Sequence, residues 1–122
     1  MGYDLHITKA EDWLEASSQP ISADELTQLI ASDPDLVFSS TGFYERTTEA
    51  GGTERIHPIL WTAHLEAVPL WFQDGEITAK NPDDFTIVKM LEIAERLHAR
   101  VLGDDGEIYE PSSSPPGWAA RT

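Results

Sequence analysis

Two glycine-centred turns limit what this chain can become. Gly51-Gly52 lies between Phe43–Thr48 and Thr53–Trp61, and Asp74-Gly75 lies between Leu70–Gln73 and Glu76–Ala79. Glycine and aspartate tolerate the positive φ that tight hairpin turns demand, so each pair predicts two antiparallel strands. With Leu36-Val37-Phe38 ahead of them and a break or bend at Gly42, the stretch from Leu36 to Lys80 reads as an antiparallel meander. Such a sheet covers one face with another layer.

Helix signals stand on both sides of that stretch. Ser22-Ala23-Asp24-Glu25 has the form of a capping box, in which Ser22 and Glu25 each satisfy a free backbone N–H. Ile21 and Leu26 form the matching staple, Leu26, Leu29 and Ile30 are the buried positions, and Asp33-Pro34 ends the helix. Asn81-Pro82-Asp83-Asp84 opens a second helix, with Asn81 as N-cap and Pro82 in the first turn. Its stripe of Ile87, Met90, Leu91, Ala94 and Leu97 predicts packing across the sheet, with Lys89, Glu92, Glu95 and Arg96 toward water.

Tyr3–Thr8 alternates, with Tyr3, Leu5 and Ile7 on one side and Asp4, His6 and Thr8 on the polar side of a half-buried strand. Between it and the first helix, Glu11–Pro20 reads as a polar connection tacked onto the core by Trp13 and Leu14. Arg100–Leu102 and Glu107–Tyr109 bracket Gly103-Asp104-Asp105-Gly106 as a terminal hairpin, unless the helix runs on to Leu102. The expected fold is α+β: a mainly antiparallel sheet of about five to seven strands with two helices, the second packed across one face. Residues 1–110 form the single domain, and the Pro/Ser-rich residues 111–122 read as a mobile tail.

Composition narrows the function classes. The 22 acidic residues outnumber 8 basic ones, for a net charge of −14. That field repels phosphate backbones and anionic lipid, so neither nucleic acid nor membrane is an expected partner, whereas a basic protein is attracted. Equally, acidity can serve solubility alone. There is no cysteine, which excludes disulfides and thiolate chemistry, and no secretory leader or spanning segment is recognisable, so the cytoplasm is the expected compartment.

The motifs offer two candidate sites. Asp74 and Glu76 in one turn, with Asp104, Asp105 and Glu107 in another, make an acidic surface for a basic partner, although Asp and Gly are also ordinary turn residues. Trp71 and Phe72 join that surface as anchors, because adjacent strand residues point to opposite faces and one of the two rings must leave the helix-covered side. The wider aromatic set of Phe43, Tyr44, Trp61, Trp71 and Phe72 fits a sheet core equally well. Alternatively, His6 and His57 converge with Asp4 and neighbouring carboxylates into an acid–base or ligand site. The spacing of His6, His57, His64 and His98 matches no zinc motif, the Asp104 turn has no EF-hand loop, and neither a nucleophile elbow nor a phosphate loop is present. No metal or cofactor is called for.

Three segments resemble a group of small bacterial proteins. They are Tyr3-Asp4-Leu5-His6-Ile7-Thr8-Lys9-Ala10 with Trp13; Trp71-Phe72, Gly75, Ile77 and Lys80-Asn81-Pro82-Asp83; and Gly103-Asp104-Asp105-Gly106-Glu107-Ile108-Tyr109. Together they cover about a third of the chain. The resemblance brings no cofactor and no catalytic residue, and the Pro/Ser tail is not part of it. In general character, small, acidic and bacterial, the chain is similar to immunity proteins that neutralise a neighbouring toxin. The expectation is therefore a non-catalytic, immunity-type protein that occludes a basic partner. The alternatives are a small enzyme or ligand-binding domain using His6 and His57, and a domain that self-associates through an open sheet face.

Overall fold

A computed structural model describes residues 3–39, 42–64 and 67–121. It is an α+β fold whose main sheet has eight strands in the order β10-β9-β8-β1-β7-β6-β5-β2, all neighbours antiparallel. The strands are β1 (Asp4–Thr8), β2 (Leu36–Phe38), β5 (Ile59–Trp61), β6 (Leu70–Gln73), β7 (Glu76–Lys80), β8 (Arg100–Gly103), β9 (Ile108–Pro111) and β10 (Trp118–Arg121). A separate two-stranded ribbon pairs β3 (Tyr44–Thr47) with β4 (Thr53–Ile56). The helices are α1 (Ala23–Ser32) and α2 (Asp84–Leu97), with a 3₁₀ segment at Trp13–Ser18.

β1 is the central strand. Leu5 lies opposite Ala79 and Gly103, and Ile7 opposite Ile77 and Val101. These side chains form one apolar row beneath α1 and α2, where Leu26, Leu29, Ile87, Met90, Ala94 and Leu97 complete the core. Each fully buried Leu, Ile or Met is worth about 1.5–3 kcal/mol, so this layer dominates the stability of the domain.

Local chemistry explains most element boundaries. Ser22 and Glu25 form the reciprocal capping box at 3.1 Å each. The β6–β7 turn has positive φ at both Asp74 and Gly75, the geometry of a type I′ turn. A Cβ on Gly75 would also stand 2.7 Å from the Cβ of Pro20, so the approach of that segment requires glycine.

Five expectations need correction. The run Thr53–Trp61 is broken at His57-Pro58, where proline interrupts strand pairing, so the ribbon leaves the main sheet instead of continuing the meander. The N-cap of α2 is Asp83, whose side chain accepts from Thr86 N at 2.9 Å, whereas Asn81 takes a positive φ and donates its N–H to the Tyr3 carbonyl at 2.8 Å. Lys89 is only 8% exposed rather than turned to water, because Asp33 meets it at the end of α1. The tail does not stay apart: Trp118–Arg121 pairs with β9, and Trp118 sets its ring 5.1 Å from Tyr109 and donates to Asp84 at 3.1 Å. Finally, Thr8 and His6, on the polar side of β1, are buried, because the 3₁₀ segment crosses that face.

Candidate functional site

His6 is 4% exposed. The Trp13 ring lies over it, nearly parallel (5°), with centroids 4.2 Å apart. The chain crosses here because Asp12 caps the 3₁₀ segment, accepting from Leu14 N at 3.0 Å, and because Ile21 N–H reaches the Gly75 carbonyl at 2.9 Å. Beneath this cover His6 Nδ1 meets Glu76 at 2.9 Å and Nε2 meets Asp104 at 2.8 Å. With both carboxylates ionised each can only accept a hydrogen bond, so this geometry favours the ring that donates from both nitrogens, the imidazolium. Burial pushes the imidazole down, but the hydrogen bonds to Glu76 and Asp104 outweigh it, and the net direction is upward from 6.5.

The β8–β9 turn closes the cluster. The second oxygen of Asp104 accepts from Asp4 N at 2.9 Å, and its carbonyl accepts from Trp13 Nε1 at 3.2 Å. The Tyr3 hydroxyl donates to Glu107 and accepts from Asp105 N at 3.3 Å. Burial and the Glu107 carboxylate push that hydroxyl up to about 12. A Cβ on Gly103 would run into the Glu107 carboxylate and come within 2.6 Å of the Tyr3 oxygen, so any other residue here would have to displace those side-chain ends. Tyr3, His6 and Trp13, Gly75 and Asn81 through their backbone, and Asp104, Asp105 and Glu107 thus all contribute.

Comparison with protein-family models, with curated proteins and with solved structures finds no match.

The structure redistributes the expected site residues. Glu76, Asp104 and Glu107 turn inward to His6 and Tyr3 rather than forming an open acidic surface. The reason is that buried donors on β1 and at its start need acceptors. Asp74 is exposed but ion-paired with Arg46 at 3.1 Å, and Asp105 is exposed. Trp71 and Phe72 are both half-buried. Phe72 packs against the helix-side core, and Trp71, paired with Thr78, lies on the His6 face. The side chain of Tyr44 lies outside the described residues.

His57 does not join His6. It follows β4 in the ribbon and packs on Phe43 with ring centroids 5.4 Å apart, sharing no partner with the β1 cluster. Asp4 approaches the cluster through its backbone N–H. Neither nitrogen of His6 is open to a substrate, so in this arrangement the cluster acts by charge and position, not by proton exchange with a ligand. Among the described residues no group of three or more His, Asp or Glu is placed to hold a metal ion. Nor is any helix there long and apolar enough to cross a membrane.

One feature escaped the sequence pattern. Leu14, expected to pack inward beside Trp13, is 72% exposed. It lies in the exposed stretch between Asp12 and Glu15, and the Trp13–Asp104 hydrogen bond ties this stretch to the Asp104–Glu107 turn. Glu11, Asp12, Glu15 and Asp105, all exposed, form an acidic rim here, and among the described residues none of them is in a salt bridge. Five of the basic residues, Lys9, Arg46, Lys89, Arg96 and Arg121, are ion-paired with carboxylates elsewhere.

Proposed function

We propose that this chain is a binding protein that occludes a basic partner, as immunity proteins do with toxins. The observation that carries the reading is an exposed leucine, Leu14, standing in a rim of carboxylates without lysine or arginine counter-ions. An apolar anchor ringed by uncompensated charge suits a cationic surface: the charge steers the encounter, and the buried side chain sets the dissociation rate. The net charge of −14 adds long-range attraction of the same sign. The His6 cluster serves this role by holding the rim in place. It ties the Asp104 turn to β1 and to Trp13, so that Leu14 and the carboxylates are presented on a fixed frame.

The test is capture with paired variants. The wild-type chain should retain a basic protein at low salt, and that protein should be lost with Leu14→Asp, with Glu11→Lys/Glu15→Lys, and at high salt. If the product of a neighbouring gene is that protein, it should arrest growth unless this chain is co-expressed. Retention of no basic protein, or equal retention by the charge-reversed variant, would overturn the reading.

A further inference from the structure

A second site lies away from the acidic rim, in a groove of about 620 Å³ between α1, the end of β2, β6 and the ribbon. That volume is in the range of small-molecule sites. Its apolar lining includes Leu26, Ile56, Phe72 and Phe38, and Phe38 is 46% exposed to it and to solvent.

The polar side chains of the groove divide into two sets. Thr27 donates to the Ala23 carbonyl at 2.9 Å, Ser39 accepts from Gly42 N at 2.9 Å, and Glu54 pairs with Arg46 at 3.4 Å. These three are engaged within the chain. Arg55 and His57 are not. Among the described residues Arg55 meets no carboxylate at salt-bridge distance, and its guanidinium lies over the Phe43 ring, 4.5 Å from the centroid. His57 packs on that same ring, and its Nδ1 is buried with no hydrogen-bond partner. A buried polar atom left unpaired costs about 1–3 kcal/mol, which a ligand atom can relieve. Both Arg55 and His57 lie against the same Phe43 ring and both line the groove.

We infer that this groove binds an apolar monocarboxylate. The carboxylate lies at the Arg55–His57 end, and the hydrocarbon body lies over Phe38 and Phe72. The acidity of the whole chain does not forbid it: charges more than about 8 Å away are largely screened at physiological salt, Glu54 in the lining is paired with Arg46, which it shares with Asp74, and Glu45, opposite Arg55 across the ribbon, makes no salt bridge with it among the described residues. The inference is independent of the partner-binding reading, since no residue of the rim lines the groove.

The test is an amide NMR titration with decanoate, kept below its micelle concentration, and with decan-1-ol as the uncharged control. Decanoate should shift the resonances of Ala23, Leu26, Ser39, Ile56 and Phe72 saturably, and decanol should bind about tenfold more weakly, the value of one 1.4 kcal/mol interaction. Arg55→Gln should weaken decanoate about tenfold while leaving decanol unchanged. Phe38→Ala should weaken both, and Arg121→Gln, distant and ion-paired, should weaken neither. The spectra themselves report whether each variant remains folded. Unmoved groove resonances at millimolar decanoate, or equal decanoate affinity in wild type and Arg55→Gln, would overturn the inference.

Discussion

The two faces of the sheet each bury a charged cluster, and the clusters differ in kind. On the helix side, Lys89 reaches Asp33 and Glu92 at 2.7 Å each, and Arg96 reaches the same Asp33 oxygen at 3.4 Å, fastening the end of α1 to α2. On the other face, His6 fastens the β6–β7 and β8–β9 turns to β1. The Lys89 cluster has fixed charges: burial pushes Lys89 down, but Asp33 and Glu92 carry it above its ordinary 10.5, and the Lys89 hydrogen bond holds Asp33 below 3.8. The His6 cluster holds a cation whose pKa is raised from the ordinary 6.5 and which is discharged as pH rises. One clamp is therefore permanent over the ordinary pH range, and the other is conditional.

The strongest way to break this contrast is to remove one member of the permanent clamp. Asp33→Ala leaves the Lys89 ammonium buried without its main partner and should cost about 3 kcal/mol or more in urea denaturation at neutral pH. Asp33→Leu combined with Lys89→Met should recover most of that loss, because the penalty lies in the orphaned charge. A loss under about 1 kcal/mol for Asp33→Ala would mean that the pair behaves like an exposed one.

The conditional clamp should yield somewhat less. His6→Phe keeps a ring under Trp13 but removes both donors, leaving Glu76 and Asp104 without their shared cation. The expected cost is about 2 kcal/mol at mildly acidic pH. The pH dependence separates the clamps by sign. A histidine whose folded pKa is raised contributes stability that is fully present below its unfolded value, 6.5, and lost as pH rises through the folded value. A carboxylate whose folded pKa is lowered contributes stability that is present above its unfolded value, 3.8, and lost as pH falls through the folded one. The midpoint of thermal unfolding should thus decline on the alkaline side in wild type. That decline should flatten in His6→Phe but persist in Asp33→Asn, which should instead reduce the acid-side decline. An alkaline limb unchanged by His6→Phe would show that the cluster carries no cation.

What the sequence revealed and concealed follows the same division. The Ser22–Glu25 box, the Asp74-Gly75 turn and the Gly103–Gly106 turn were legible because their partners lie within a few residues. The His6 cluster was not, since its acceptors lie 70 and 98 residues away along the chain. Alternation correctly put His6 opposite Leu5 and Ile7, but period two cannot say whether the polar side meets water or another segment. Here the 3₁₀ segment covers it, a path set by packing against Gly75 that leaves no periodic trace. The same limit hid the Trp118 strand, whose composition after Pro115-Pro116 reads as a tail until Tyr109 and Asp84 are brought beside it.

The smallest expected effect tests whether Trp13 is a cover or a tether. Trp13→Phe preserves an aromatic face over His6 but deletes the indole N–H that reaches the Asp104 carbonyl at 3.2 Å. Loss of one such bond should cost about 1 kcal/mol. Because Asp104 is also held by Asp4 N and by His6 itself, its carboxylate should stay in place, and the His6 titration followed by ring-proton NMR should barely move. A clear downward move in that titration would mean that the indole bond, not the β1 backbone, aims Asp104 at the imidazolium. The acidic rim would then depend on Trp13 for its position as well as for its connection to Leu14.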